Sequence, residues 1–107
     1  MKNILFLILI TLGVALQAQD NFTPKPLDPS VNTEYSELNP LISPDGKVLY
    51  FSRLNHPENT MGDHNTSDIW YSTLNPDTTW SVARRMPAPF NTARYNNLFS
   101  ISSKSDK

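Results

Sequence analysis

Residues 39–52 read Asn39-Pro40-Leu41-Ile42-Ser43-Pro44-Asp45-Gly46-Lys47-Val48-Leu49-Tyr50-Phe51-Ser52. In the middle of this stretch, residues 43–46 combine three turn-forming residue types. Proline presets φ for the first turn position, aspartate accepts local backbone hydrogen bonds, and glycine tolerates positive φ. Apolar runs flank the turn, and the second run is rich in aromatic and β-branched residues. The stretch therefore predicts a β-hairpin with strands over residues 40–43 and 48–52.

Two more strands are predicted downstream. Residues 68–74 form a third strand from their aromatic and β-branched content, and residues 80–83 form a fourth after a turn at 75–79. Residues 55–67 are polar and predict a long surface loop, while residues 86–90 contain two prolines and predict a connection. No amphipathic helical pattern follows residue 18. The predicted fold class is all-β, with a four-stranded antiparallel sheet and the first strand of a second sheet.

An internal repeat supports this organisation. Asn32-Thr33 recurs as Asn91-Thr92, and Ile42-Ser43 recurs as Ile101-Ser102, both at a spacing of 59 residues. The fifth strand falls where the first would recur. Repeats at this scale indicate a propeller or an array of stacked units.

The hairpin stretch resembles the WD40-like repeat of TolB-type β-propellers. The similarity continues through 68–72 and 80–81 and ends at 89–92, so that it covers about half of the chain. It implies one four-stranded antiparallel propeller blade over residues 39–90 and the start of a second over 91–107. Where the second blade should repeat the Ser-Pro-Asp-Gly turn, the sequence reads Ser102-Ser103-Lys104-Ser105. A truncated reading frame, and hence an N-terminal fragment, is favoured over a decayed repeat.

The N-terminus predicts export. Lys2 supplies a positive charge, residues 4–16 are an apolar run, and Ala18 is a small residue placed for cleavage. Thirteen helical residues span about 20 Å, less than the ~30 Å hydrocarbon core, which favours a signal peptide over residues 1–18 rather than a membrane anchor. Residues 19–38 hold three prolines among polar residues and predict an extended linker.

Composition excludes several functions. The chain has no cysteine, which excludes disulfides, thiolate metal sites and thiol nucleophiles. After cleavage, eight basic residues face ten acidic ones, and this balance argues against nucleic acid as a partner. The only basic doublet, Arg84-Arg85, is interpreted as a solvated sheet edge.

The sequence predicts no catalytic residue, no metal site and no cofactor. Five potential ligands cluster in and after the long loop, but their spacing matches no metal motif: His56, Glu58, Asp63, His64 and Asp68. They are interpreted as loop residues, with Asp68 capping the start of the third strand. Trp70 and Tyr71 lie in the middle of a strand and are interpreted as core between blades rather than as a stacking site. The sequence leaves the binding residues unknown.

The predicted function is a non-catalytic binding or structural module of the bacterial cell envelope. In the resembling family, such repeats commonly precede an OmpA-like peptidoglycan-binding domain, which this chain does not contain. The resemblance implies a location in the periplasm or at the outer membrane, with further blades or other proteins as partners. Two alternatives are the propeller portion of an exported peptidase and a small self-assembling envelope protein.

A single blade has two faces that need neighbours. We therefore expect the large side chains of an unpaired blade to lie mostly exposed: Ile42, Leu49, Phe51, Ile69, Trp70, Tyr71 and Trp80.

Overall fold

The computed structural model describes residues 23–103, which are all-β and contain no helix. Four strands form one antiparallel sheet in the order β1-β2-β3-β4. The predicted all-β class and four-stranded antiparallel sheet are confirmed. The predicted signal peptide lies outside the described residues. Within them, no helix is long and apolar enough to cross a membrane. The strands are β1 Glu37–Ile42, β2 Val48–Leu54, β3 Ser67–Thr73 and β4 Arg84–Arg85.

The predicted turn connects β1 to β2. The Gly46 N–H donates to the Ser43 carbonyl at 2.8 Å, and Gly46 has a φ of 73°. The Asp45 carboxylate accepts the Ser43 hydroxyl at 2.6 Å and the Lys47 N–H at 3.0 Å. These two bonds, the hydroxyl bond first, lower the pKa of Asp45 because they stabilise its charged form. Local hydrogen bonding thus explains why this sequence forms a hairpin.

β1 begins earlier than predicted. Glu37 and Leu38 already pair with β2, although they fall in the stretch expected to be a linker. The register then shifts between Leu38 and Leu41, where Asn39 has a φ of 53°. Pro40 cannot donate to the ladder, and a bulge accommodates it within an edge strand.

β4 also differs from its prediction. The strand predicted over residues 80–83 is wrong: Arg84 and Arg85 form β4, and Trp80 makes only an isolated bridge with Leu74. The Leu74–Trp80 bridge and the pairing of β4 with β3 differ in register by one residue. Between them the Ala83 N–H donates to Ser30, in the N-terminal arm, and not to β3. The hydrogen bond from Ala83 to the N-terminal arm therefore interrupts the pairing with β3, and β4 begins only at Arg84.

Residues 23–36, called the arm, cover one face of the sheet. Side chains alternate between the two faces along each strand, and the cross-strand partners Phe51 and Trp70 share a face, called the arm face. Val31 of the arm is only 4% exposed and packs into a core on this face. The core residues are Val31, Leu49, Phe51, Trp70 and Ala83, with Trp80 packed against them.

Residues 90–103, called the return segment, lie over the other face, called the return face. Tyr50 and Tyr71 are cross-strand partners on this face, with ring centroids 6.4 Å apart. Ser52 donates to the Asn97 side chain at 2.7 Å. The fifth strand expected near Ile101 is not formed within the described residues, and the return segment makes an isolated parallel bridge between Tyr95 and Ser67 instead.

The expectation of mostly exposed blade residues is wrong. Four of the seven large side chains are at most 5% exposed, and only Ile42, at 59%, is largely exposed. The arm covers one face and the return segment covers part of the other, so that much of the sheet is already buried. The four buried side chains are Leu49, Phe51, Ile69 and Trp70.

Candidate functional site

An apolar groove lies between the arm and the arm face. Its volume is about 250 Å³, and its walls are formed mainly by aliphatic, proline and phenylalanine side chains. Leu27 and Leu38 on its rim are 44% and 47% exposed. The groove is therefore an open surface with an apolar lining. Its principal lining residues are Leu27, Val31, Leu38, Pro40, Leu49 and Phe51.

Arg53 fixes the arm against the sheet beside this groove. Its side chain is 5% exposed and forms an ion pair with Glu37 at 3.0 Å. Its guanidinium also donates to the Val31 carbonyl at 3.0 Å and lies 4.5 Å from the Trp70 ring centroid. A buried charge is stabilised by partners of this kind, and these three contacts occupy the guanidinium of Arg53. Arg53 is accordingly a support for the groove, not a free binding group.

A second apolar groove lies on the return face. Its volume is about 200 Å³. Phe90 of the return segment lines this groove and is 49% exposed, and two further aromatic side chains of that segment, Tyr95 and Phe99, are 60% and 82% exposed. Both faces of one sheet thus carry an apolar surface. The main lining residues of the second groove are Tyr50, Ile69, Met86, Phe90, Leu98 and Ile101.

Two buried asparagines attach the return segment to β3. The Asn91 side chain accepts the Ile69 N–H at 2.7 Å and donates to the Ile69 carbonyl at 3.0 Å, so that it replaces a strand partner. Asn96 donates to the Ser67 carbonyl and to Asp68, both at 3.1 Å. The sequence indicated Asn91 only through a repeated dipeptide and the family resemblance over 89–92, and it gave no sign of the role of Asn96.

The five potential metal ligands do not form one cluster. Among residues 23–103, no three carboxylate or imidazole groups converge on a common point. Asp63 and His64 form a pair at 2.5 Å, with both side chains more than half exposed. Glu58 is exposed, with its N–H donating to His56 Nδ1 at 3.1 Å.

Asp68 is fully buried and joins three parts of the chain. It accepts the Thr60 N–H at 2.7 Å and the Thr60 hydroxyl at 2.8 Å. It also accepts Asn96 and lies 3.5 Å from Arg85. Asp68 stands near the start of β3, as predicted, but its bonds fix the long loop and the return segment.

His56 is packed between two aromatic rings. Its centroid lies 4.6 Å from those of both Tyr35 and Trp70, in edge-on geometry. Its side chain is 17% exposed, and burial, followed by the charge of Arg53, lowers its pKa. The ring connects the arm, the loop and β3.

Trp70 is buried, with its indole N–H donating to Asn59 at 3.1 Å, whereas Tyr71 is half-buried. Arg84 and Arg85 lie exposed on the edge strand β4. Comparison of the chain with protein-family models, with curated proteins and with solved structures gives no match.

Proposed function

We propose that this sheet is a WD40-like propeller blade that acts by non-covalent contact in the bacterial cell envelope, as part of an OmpA-associated type of protein. One observation carries the proposal: a four-stranded antiparallel meander, built around the Ser43–Gly46 turn, has an apolar groove on each face. Propeller blades are four-stranded sheets that pack face to face. Apolar surface on both faces is what a sheet needs if it is to have neighbours on both sides.

The buried polar groups of the described residues hold the sheet and its covering segments together. His56 accepts the Glu58 N–H, and Asp68 is used by Thr60 and Asn96. No buried side-chain nitrogen or oxygen among the described residues lacks a hydrogen-bond partner. The lone pairs of His56 and Asp68 accept hydrogen bonds from other residues of the chain. A general base needs a lone pair directed at its substrate.

The proposed envelope location is supported by the N-terminal sequence, and it can be tested together with the contact role. The full chain is expressed in its native cells with a photo-reactive residue in place of Leu27 or Phe90, one on each face. We expect a mature N-terminus near Gln19, recovery in the periplasmic or outer-membrane fraction, and cross-links from both faces to protein partners.

Met61 provides the control position, because it is 51% exposed in the long loop and lines neither groove. We expect it to cross-link much less than the two face positions. Recovery in the cytoplasm, or equal cross-linking from Met61, would contradict the proposal.

A further inference from the structure

The two apolar grooves lie on opposite faces of the same sheet. We propose that the arm-face groove of one copy of this chain receives the return segment of a second copy, with Phe99 as the side chain that enters it. This inference rests on the proposed role of the two faces as contact surfaces. It names one partner, a second copy of the chain, and states that the arm face of one copy meets the return face of the other.

The size and lining of the arm-face groove fit a phenyl ring. A 150 Å³ apolar cavity accommodates benzene, and this groove offers about 250 Å³ with an apolar lining. Phe99 is 82% exposed, the highest exposed fraction among the large hydrophobic residues that the structure describes. Moving this ring from water into the groove would strengthen association about tenfold to a hundredfold.

The charges of the two surfaces are complementary. The arm carries Asp28 and Glu34 against a single Lys25, and Glu37 of β1 is already neutralised by its ion pair with Arg53. In contrast, β4 and the return segment carry three arginines and no acidic residue. Arg84 and Arg94 are on or beside the return face, since Arg84 pairs with Tyr71 and Arg94 lies in the return segment. Arg85 pairs with Trp70 on the arm face, where it lies 3.5 Å from the buried Asp68. Opposite charges on the two surfaces favour contact between unlike faces and oppose contact between like faces.

The internal repeat provides a separate argument. Residues 32–42 run from the arm into β1, and the dipeptides Asn32-Thr33 and Ile42-Ser43 at its two ends recur 59 residues later. At that spacing Phe90 is the counterpart of Val31, which is buried against Leu49 and Phe51. The return segment therefore shares its two flanking dipeptides with the part of the chain that already lies against an arm face. It is the segment best suited to lie against the arm face of another copy.

A contact between unlike faces has a defined consequence for assembly. Each copy uses its arm face for one neighbour and its return face for another, so the contact is heterologous. Such contacts produce a ring if the rotation closes and a filament if it does not. A dimer that uses one face twice is not expected.

Sedimentation velocity on the full mature chain, over a range of concentrations, tests the proposal. The wild-type chain should associate beyond a dimer as its concentration rises. Leu27→Arg places a cation in the arm-face groove, opposite the arginines of the return face, and Phe99→Glu places an acid opposite the acidic arm. Each variant alone should remain monomeric, with association weakened at least about tenfold.

Mixing the two variants gives the decisive result. Leu27→Arg retains an intact Phe99, and Phe99→Glu retains an intact groove, so their mixture should associate although neither variant associates alone. Met61→Arg and Met61→Glu are the matched controls and should associate as the wild type does. Circular dichroism melts of all variants check that each remains folded.

Three outcomes would overturn the inference: a monomeric wild-type chain, a wild-type dimer that persists in one of the two single variants, or a mixture that stays monomeric while both variants are folded. If the chain is monomeric but its faces cross-link to other envelope proteins, this inference fails and the proposed function stands.

Discussion

At the scale of single residues, His56 makes the stability of the fold depend on pH. Burial between Tyr35 and Trp70 disfavours the imidazolium and lowers the pKa of His56 below its usual 6.5. The unfolded chain therefore takes up a proton on His56 at a higher pH than the folded chain does. The stability that this difference provides is present above pH 6.5 and is lost as the pH falls towards the folded-state pKa.

We predict that the free energy of unfolding in urea falls between about pH 7 and pH 5. His56→Gln keeps a neutral side-chain acceptor and should remove most of this dependence. His64→Gln is the control, because the side chain of His64 is 91% exposed, and it should leave the dependence unchanged. An equal slope in wild type and His56→Gln would refute the assignment.

Asp68 gives a second prediction at this scale. Asp68→Ala removes the acceptor of the Thr60 N–H, one of the acceptors of Asn96 and the buried charge beside Arg85. We expect a loss of about 2–4 kcal/mol in the free energy of unfolding, measured in urea. Asp63→Ala, at an exposed position, should change it by less than about 0.5 kcal/mol. Similar losses in the two variants would show that burial of Asp68 is not the cause.

At the scale of elements, the arm is part of the core and not a free linker. Val31→Ala removes two buried methyl groups and should lower the free energy of unfolding by about 2 kcal/mol. Val82→Ala is the same substitution at a position 74% exposed, and its effect should lie within about 0.5 kcal/mol. Urea denaturation of both variants compares them directly. A Val31→Ala effect as small as that of Val82→Ala would mean that the arm leaves the sheet in solution.

A second prediction at the scale of elements concerns the turn between β1 and β2. Gly46 has a φ of 73°, and a Cβ added there would meet no atom within 4 Å. Gly46→Ala should therefore destabilise the protein by about 1 kcal/mol through its backbone conformation alone. Lys47→Ala, at the next position in the same exposed turn, is the control for thermal melting. No difference between these two melts would contradict the positive φ at residue 46.

At the scale of the whole molecule, the two faces differ in charge, and this predicts a salt dependence. Association through Asp28 and Glu34 on one side and Arg84 and Arg94 on the other should weaken as sodium chloride is raised from about 0.05 M to 0.5 M, because ions screen exposed charges. Sedimentation velocity at several salt concentrations measures this. Association that is unchanged by salt would show that the apolar grooves act without help from charge.

The sequence by itself determined the local structure. Residues 43–46 specify the turn through bonds among neighbours, and the aromatic runs specify β2 and β3, because both signals act over a few residues. The all-β class and the first three strands were accordingly predictable. β4 was placed too early because a long-range bond from Ala83 to Ser30 decides where its pairing begins.

Only the tertiary structure decided what covers the sheet. Proline and polar residues made 19–38 resemble a linker, yet Val31 and Arg53 hold the arm against one face. Asn91 and Asn96 hold the return segment against the other face through hydrogen bonds to β3. In the sequence alone, nothing distinguishes the amides of these two asparagines from other polar side chains. Burial and hydrogen bonding between distant residues depend on positions in space, and no local pattern in the sequence records those positions.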